Sequence, residues 1–521
     1  MSRSPNIVLI MADQLTARAL RAYGNRVCLT PHLDRLAARG SVFAQAYCNF
    51  PVCAPSRASL LTGQLASRLG VYDNASDFRS SAPTLPYYLN ALGYRTCLSG
   101  KMHFVGADQL HGYQERLTTD IYPSDFGWTP DWQKLIPVAA TGLNLRSVVE
   151  SGVCRRSLQL DYDDEVAARA VQRIYDYGRD REQPFFLTVS FTHPHNPYVI
   201  TQAYWSRYDE REIDPPRVPA APPGTLDPHS QRLRRIYRFD EYDITEADVM
   251  RSRHAYYAMT SYVDDRVGEI VAALENMDLI DDTIIVFTSD HGDMLGEKGL
   301  WYKWMLLEGA MRIPLIMAAP RQRPGIVPAP VSLLDLAPTL LELAGAGRAG
   351  LEAATPFEGR SLAPALRDPD SLDGEWPIFA EMTADGAYHP CLMVRAGAWK
   401  YIHCADDPPM LFNLAEDPDE LRNLAALPVH AERAEGLAGL IRTHWDESAL
   451  AEAMRRSAAE RRLIQAARLG AGHPAWDYEP RRDPTQQFVR TGANVSATVV
   501  KGRARYPQVP PKPADHEVPP L

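Results

Sequence analysis

Four short apolar runs, each ending in residues able to do chemistry, constrain this chain more than any other feature. They are Asn6–Met11 (NIVLIM), Tyr94–Ser99 (YRTCLS), Pro184–Phe191 (PFFLTVSF) and Thr283–Thr288 (TIIVFT). Helical patterns lie between them: TLPYYLNALG, with Gly93 as its cap, a helix over Asp163–Tyr177, and the amphipathic YVDDRVGEIVAALENM. Strands alternating with helices predict a parallel sheet covered on both faces. In such sheets ligands sit outside the carboxyl ends of the strands. At those ends the chain places Asp13, then Lys101 and His103, then His193 and His195, then Asp290, His291 and Asp293, with Lys303 soon after. Any one of these residues has an ordinary use, such as capping a helix or closing a turn. Four such coincidences at one sheet edge point to a site.

The chemistry of that set is specific. Asp13 and Asp290 are oxygen donors suited to a hard divalent cation such as Ca²⁺, Mg²⁺ or Mn²⁺, and His291 adds a ligand leaning toward a transition metal. No cysteine pair has the spacing of a zinc–thiolate site. Arg57, Lys101, His103, His193 and Lys303 add positive charge and proton transfer. A metal ion ringed by cations describes a site for a tetrahedral oxyanion ester.

Length and charge narrow the classes. At 521 residues the chain exceeds a single core. The expected division is a catalytic α/β unit over residues 1–370, a smaller antiparallel-sheet unit over 371–448 with a helix near Glu432–Trp445, and a helix (Glu452–Ala467) with an extended tail over 449–521. A further helix is expected over Ser332–Ala344. A formal charge of −10 without a basic tail argues against nucleic acid. No run reaches the roughly 18 apolar residues of a membrane span, and the first residues lack the apolar stretch of a signal peptide. Seven cysteines without repeated spacing do not form a disulfide framework, so a cytoplasmic, reduced protein is expected.

One cysteine stands apart. In NFPVCAPSRASLLTGQ, Cys53 precedes Ala-Pro-Ser-Arg at a helix start, where Pro55 suits the first turn and the backbone N–H groups favour an anion. Such a thiol could be a nucleophile, a metal ligand, the precursor of another group or a buried thiol. Arg57 follows too closely for the loop of a cysteine-dependent phosphatase, and no Cys-x-x-Cys accompanies it.

CAPSRASLLTG (Cys53, Pro55, Ser56, Arg57, Gly63) resembles the sulfatase signature, and MADQ, GKMH, SDHGD and FEGRSLAP resemble type I sulfatases of the alkaline phosphatase superfamily over nearly the whole chain. The resemblance implies a large, mostly parallel sheet covered by helices, with a smaller C-terminal antiparallel sheet. It also implies that Cys53 becomes formylglycine, an aldehyde whose hydrate attacks sulfur with one hydroxyl and expels sulfate with the other. Asp13, Gln14, Asp290, His291 and the modified Cys53 would be the ligands of one divalent metal ion, Ca²⁺ before Mn²⁺ or Mg²⁺. Gln14 stands where many relatives carry a second Asp. Arg57 would steady the nucleophile, Lys101 and Lys303 would neutralise sulfate oxygens, His103 would assist the diol, and His193 would be the general acid.

Within the family, Leu98–Trp132, LDYDDEV, SFTHPHNPY and PAWDYEPRRDPTQQFVR are most similar to choline sulfatases. Trp128 and Trp132 could face a quaternary ammonium. His195, Asn144 and Asn494 complete the expected substrate set. Leu143-Asn144 and Asn494 stand where those enzymes carry a His-Asn pair and an acidic patch, which leans the expectation toward an aryl leaving group. Choline O-sulfate, and a phosphodiester or phosphonate monoester, are the alternatives to this aryl ester; a non-catalytic binding protein has no reason to combine these residues. The expected partners are a small sulfate ester, a formylglycine-generating enzyme and further copies of the chain in a homodimer or homotetramer, with no nucleic acid and no membrane.

Overall fold

The computed structural model describes residues 4–131, 141–405 and 407–470. Its centre is an eight-stranded mixed sheet built from β1 (Asn6–Ala12), β2 (Ser41–Phe43), β3 (Arg95–Gly100), β4 (Glu115–Arg116), β5 (Phe185–Ser190), β6 (Thr283–Ser289), β7 (Leu315–Ala318) and β8 (Gly325–Val327). The strand order is β8-β2-β7-β6-β1-β5-β3-β4, and the four apolar runs lie side by side as β6-β1-β5-β3, all parallel. Every residue of β1, β5 and β6 is buried. That is why they read as continuous apolar runs and not as an alternation. The antiparallel β7 pairs with β6 and β2.

Helices α1 (Pro31–Arg39), α2 (Cys53–Thr62), α3 (Leu85–Ala91), α4 (Leu158–Arg179), α5 (Glu246–Asn276) and α6 (Leu336–Ala344) accompany the sheet. Two are longer than their patterns suggest. Ser157 caps α4 six residues before Asp163, its side chain accepting from Leu160 N at 3.2 Å. The first half of α5 buries the polar-looking stretch Ser252–Tyr262, so no amphipathic stripe marks it; a Thr245–Asp248 capping box starts it instead.

A four-stranded antiparallel sheet follows: β9 (Ile378–Met382), β10 (Cys391–Ala396), β11 (Trp399–Cys404) and β12 (Met410–Asn413). Helix α7 (Ala431–His444) buries Leu437 and Ile441 against Leu392, Val394, Tyr401 and Leu411 of this sheet. The charged helix expected over Glu452–Ala467 is α8 (Glu447–Gly470). No described helix is long and apolar enough to cross a membrane.

Candidate active site

Because β6, β1, β5 and β3 are parallel neighbours, their carboxyl ends deliver Asp290, Asp13, the His193–His195 turn and Lys101 to one edge. Gly100, at the end of β3, makes this approach possible. Its φ is +109°, and a Cβ there would stand 2.0 Å from the Ser190 carbonyl oxygen, which accepts from Lys101 N at 3.0 Å. Four non-glycine residues around the site also hold positive φ: Gln14 (64°), His103 (55°), Tyr302 (65°) and Trp304 (71°). Such conformations cost about 1–2 kcal/mol each and are held here by the surrounding packing.

Helix α2 brings the cysteine. Cys53 is its first residue and Pro55 lies in its first turn, as the motif implies. No side chain caps the start, but Asn74 Oδ1 accepts from Ala54 N at 2.9 Å. Ser56 Oγ donates to the Asp290 carbonyl at 2.5 Å. Arg57, fully buried, ties the helix to three strand ends. Its Nε donates to Asp290 Oδ2 at 2.9 Å and its Nη1 to Ser190 Oγ at 2.8 Å and the Lys101 carbonyl at 2.5 Å. Gly63, at φ +64°, closes the helix.

Around Cys53 Sγ stand Lys303 Nζ at 3.0 Å, His291 Nε2 at 3.4 Å and Asp13 Oδ1 at 3.8 Å. Lys303 Nζ also meets His195 Nε2 at 3.0 Å and His291 Nε2 at 3.1 Å. Lys101 Nζ pairs with Asp13 Oδ2 and lies 4.1 Å from the centre of the Tyr122 ring. Burial alone would push the Cys53 thiol up, but Lys101, Lys303 and His291 together hold it well below its ordinary value. Burial likewise opposes ionisation of Asp290, and the Arg57 guanidinium reverses it, holding the carboxyl below the usual range. The site is built to keep a negative charge at the position of residue 53.

The donor set fits a divalent metal ion. Ligand atoms of Asp13, Cys53, Asp290 and His291 all lie within 4.8 Å of one another and are buried. Gln14 directs its amide nitrogen to Asp293 Oδ2 (2.7 Å) and Asn196 Oδ1 (3.2 Å), which leaves its buried Oε1 without a hydrogen-bond partner among the described residues. An amide oxygen without a donor is suited to a cation. Among the described residues the other group of this type, His32, Asp264 and Asp265, is differently engaged. Asp264 accepts from His32 N and Leu33 N at the start of α1, and Asp265 is bound by Arg207 and Tyr204.

The two histidines after β5 separate sharply. His193 is held by its neighbours: its Nδ1 lies 2.6 Å from Asp163 Oδ2 and its ring packs against Tyr262 at 4.8 Å. His195 meets Lys303 through Nε2 at 3.0 Å, and Lys303 in turn meets Cys53 Sγ. With Nδ1 on Asp163, the buried Nε2 of His193, the expected general acid, has no hydrogen-bond partner among the described residues. His103 has no hydrogen-bond partner for either ring nitrogen among the described residues, and its ring meets Trp128 edge-on at 5.8 Å.

Among the expected substrate residues, Trp128 packs on Tyr122 at 5.4 Å, beside the site. Asn144 is less engaged than expected: its Oδ1 accepts from Arg146 N at 2.9 Å and its carbonyl from Tyr302 Oη at 2.9 Å, while Leu143 packs on the core. Asn494 and Trp132 lie outside the described residues. Three contributors were missed from sequence. Tyr122 touches Lys101, His103, Trp128 and His195; Asn74 holds the start of α2; and Asp385, in the loop after β9, is a buried carboxylate with no hydrogen-bond partner among the described residues. Only the position of Tyr122 inside the DIYPSDFGW stretch offered a signal.

Comparison with known proteins agrees with this geometry. The family description "Sulfatase" matches residues 5–346, and "N-sulphoglucosamine sulphohydrolase, C-terminal" matches residues 296–444. The chain belongs to the sulfatase family. It is a type I sulfatase of the alkaline phosphatase superfamily, hydrolysing sulfate esters. It is 43% identical over 516 residues to a choline-sulfatase of Rhizobium meliloti, covering 97% of this chain and 99% of that one. It is 30% identical over 453 residues to an arylsulfatase K of Danio rerio, covering 81% of this chain and 80% of the other. Among solved structures, a phosphonate monoester hydrolase from Silicibacter pomeroyi superimposes with a TM-score of 0.67 at 25% identity, covering 84% of this sulfatase and 95% of that chain.

Proposed function

We propose that this sulfatase hydrolyses a small organic sulfate monoester with an aryl leaving group, after a formylglycine-generating enzyme has converted Cys53 to formylglycine. Asp13, Gln14, Asp290, His291 and the modified residue 53 would hold one Ca²⁺, with Mn²⁺ or Mg²⁺ as substitutes. The observation that carries the reading is the position of Lys303 Nζ, 3.0 Å from both Cys53 Sγ and His195 Nε2. Nucleophile, cation and proton carrier meet there at one point.

When present, the metal ion supplies stabilisation of developing negative charge and the formylglycine hydrate supplies the attacking hydroxyl. The side chains of the protein do the rest. Arg57 locks the start of α2 to the strand ends. Lys101 and Lys303 neutralise sulfate oxygens, and His103 accepts a proton beside residue 53. His195 donates its Nδ1–H to the Asn196 carbonyl at 2.7 Å, which directs Nε2 at the site. Burial first, and the Lys303 ammonium next, lower the pKa of His195, so the resting ring is neutral with Nε2 accepting from Lys303 Nζ, and the proton passed to the departing ester oxygen reaches Nε2 from Lys303. Tyr122 and Trp128 form an aromatic wall for the organic group.

A second reading, an alkyl sulfate bearing a quaternary ammonium, is favoured by Asp385. Burial, with Asp73 nearby, raises this carboxyl to about 7, and it faces Tyr237, whose ring lies 5.0 Å from that of Trp304. A cation placed there would restore its charge. The 43% identity to a choline-sulfatase supports the same reading. Similarity to phosphonate monoester hydrolases supports a slower side reaction at phosphorus.

The test is kcat/KM for 4-nitrophenyl sulfate against choline O-sulfate, on protein co-expressed with a formylglycine-generating enzyme and for the Asp385→Asn variant. A preference for the aryl ester that Asp385→Asn leaves intact supports the aryl reading. A preference for choline O-sulfate that collapses in that variant replaces it with the second. Loss of all turnover in Cys53→Ala is required by both. We further propose a cytoplasmic homodimer or homotetramer, supported by seven cysteines without the spacing of a disulfide framework and by the proline-rich composition of residues 506–521.

A further inference from the structure

Two cysteines outside the active site face each other across the small sheet. Strands β10 and β11 are joined by Gly397–Ala398, and Ala396 pairs with Trp399 next to this two-residue turn. The pair flanking such a turn is hydrogen-bonded, and pairs alternate from there, so Cys391 and Cys404 form a pair without mutual backbone bonds. In pairs of that kind the Cα atoms are about 4.5 Å apart and the side chains approach most closely. A disulfide spans Cα separations of about 4.4–6.8 Å. Both thiols reach the same acceptor, the His389 carbonyl, at 3.9 and 3.7 Å.

Two further observations make this pair more than a packing contact. Both cysteines line a cavity of about 20 Å³, whose walls include His229, Asp407 and the Met305–Leu307 stretch that follows Lys303. That volume admits a molecule the size of water or hydrogen peroxide. A base is also in place. His229 Nε2–H donates to the Trp304 carbonyl at 2.6 Å, which leaves Nδ1 as an acceptor 3.7 Å from Cys391 Sγ.

We propose that Cys391 and Cys404 are a two-electron oxidation site that takes hydrogen peroxide and closes to an intrachain disulfide. Cys391 sulfur attacks one peroxide oxygen as His229 Nδ1 takes the thiol proton. The O–O bond breaks, the departing hydroxide recovers that proton, and water leaves. Cys404 sulfur then attacks the sulfenic sulfur, the S–S bond forms, the S–O bond breaks, and a second water leaves with the Cys404 proton. Two thiols lose two electrons and the peroxide gains them; a dithiol reductant reverses the change. The neighbouring Cys404 thiol and burial push the Cys391 thiol well above its ordinary value, so the resting Cys391 is a thiol and the base is needed.

The test uses the full chain carrying Cys53→Ala, so that the thiol of the active site takes no part. After exposure to hydrogen peroxide and alkylation, peptide mapping without reductant should recover a Cys391–Cys404 linked peptide, lighter by two hydrogens and separated by dithiothreitol, and the oxidised protein should melt at higher temperature. Recovery of both residues as free thiols, or of either joined to another cysteine, overturns the proposal. In Cys404→Ser the linked peptide should be lost while Cys391 still reaches the sulfenic or sulfinic level; a Cys391 that stays unoxidised overturns the stepwise chemistry. Should that variant fail to fold, His229→Gln decides the role of the base. Slower linking supports it, and an unchanged rate refutes it.

Discussion

His193 and His195 are two residues apart, both buried, and chemically identical, yet their surroundings assign them different work. Asp163 holds the first ring, whereas Lys303 meets the second. His195→Asn should therefore lower kcat by about 10²–10⁴-fold, more for poor leaving groups than for good ones. His193→Asn should change kcat less and with no such dependence. Rates over a series of substituted phenyl sulfates check both, and equal slopes for the two variants would sink the assignment. Asp385 allows a stability prediction at the same scale. Its carboxyl is raised to about 7 in the fold against an ordinary 3.8, so the folded protein binds an extra proton between those values and loses stability as pH rises through them. Asp385→Asn should raise the denaturation midpoint at pH 8, with the gain shrinking toward pH 4. A gain independent of pH would mean that the carboxylate is compensated by some other group.

At the scale of elements, what matters is how the small sheet is fastened to the strands that carry the site. Lys400, on β11, is fully buried and pairs with Glu308 Oε1 at 3.0 Å and Glu420 Oε1 at 2.8 Å. Glu308 also accepts from Tyr47 Oη at 2.9 Å, and its backbone N–H donates to Glu420 Oε2 at 2.8 Å. Removing the ammonium strands two carboxylates in the interior. Lys400→Met should cost about 3–5 kcal/mol, whereas replacing all three charges by apolar residues should cost much less. Chemical denaturation of the single and triple variants tests this, and a single variant as stable as the parent would refute the buried latch. The helix carrying residue 53 is fastened differently, by Arg57 reaching three strand ends. Those bonds were invisible in the motif, which shows only that an arginine stands four residues after the cysteine.

For the whole molecule, the metal site joins β1, β6 and α2, so an ion bound there stabilises the native state by mass action. A chelator should lower both the melting temperature and turnover, and added Ca²⁺ should restore them; a melting temperature insensitive to chelator would count against the site. Truncation before Pro474 should lower the mass measured by light scattering, and an unchanged mass would remove the tail from the assembly. Much of this was readable from the chain alone. Parallel strands buried on both faces must be continuous apolar runs, so β1, β3, β5 and β6, and the chemistry at their ends, stood out in one dimension. The cysteine motif likewise carries its own local geometry, since Pro55 sets the first turn. Other features depend on contacts between residues hundreds of positions apart. The contact of Lys303 with His195, the hold of Asp163 on His193, the wall made by Tyr122, the burial of Asp385 and the facing thiols of Cys391 and Cys404 were decided only by tertiary structure. A loop residue has no periodicity to show which way it points, and its neighbours exist only once the sheet has closed around them.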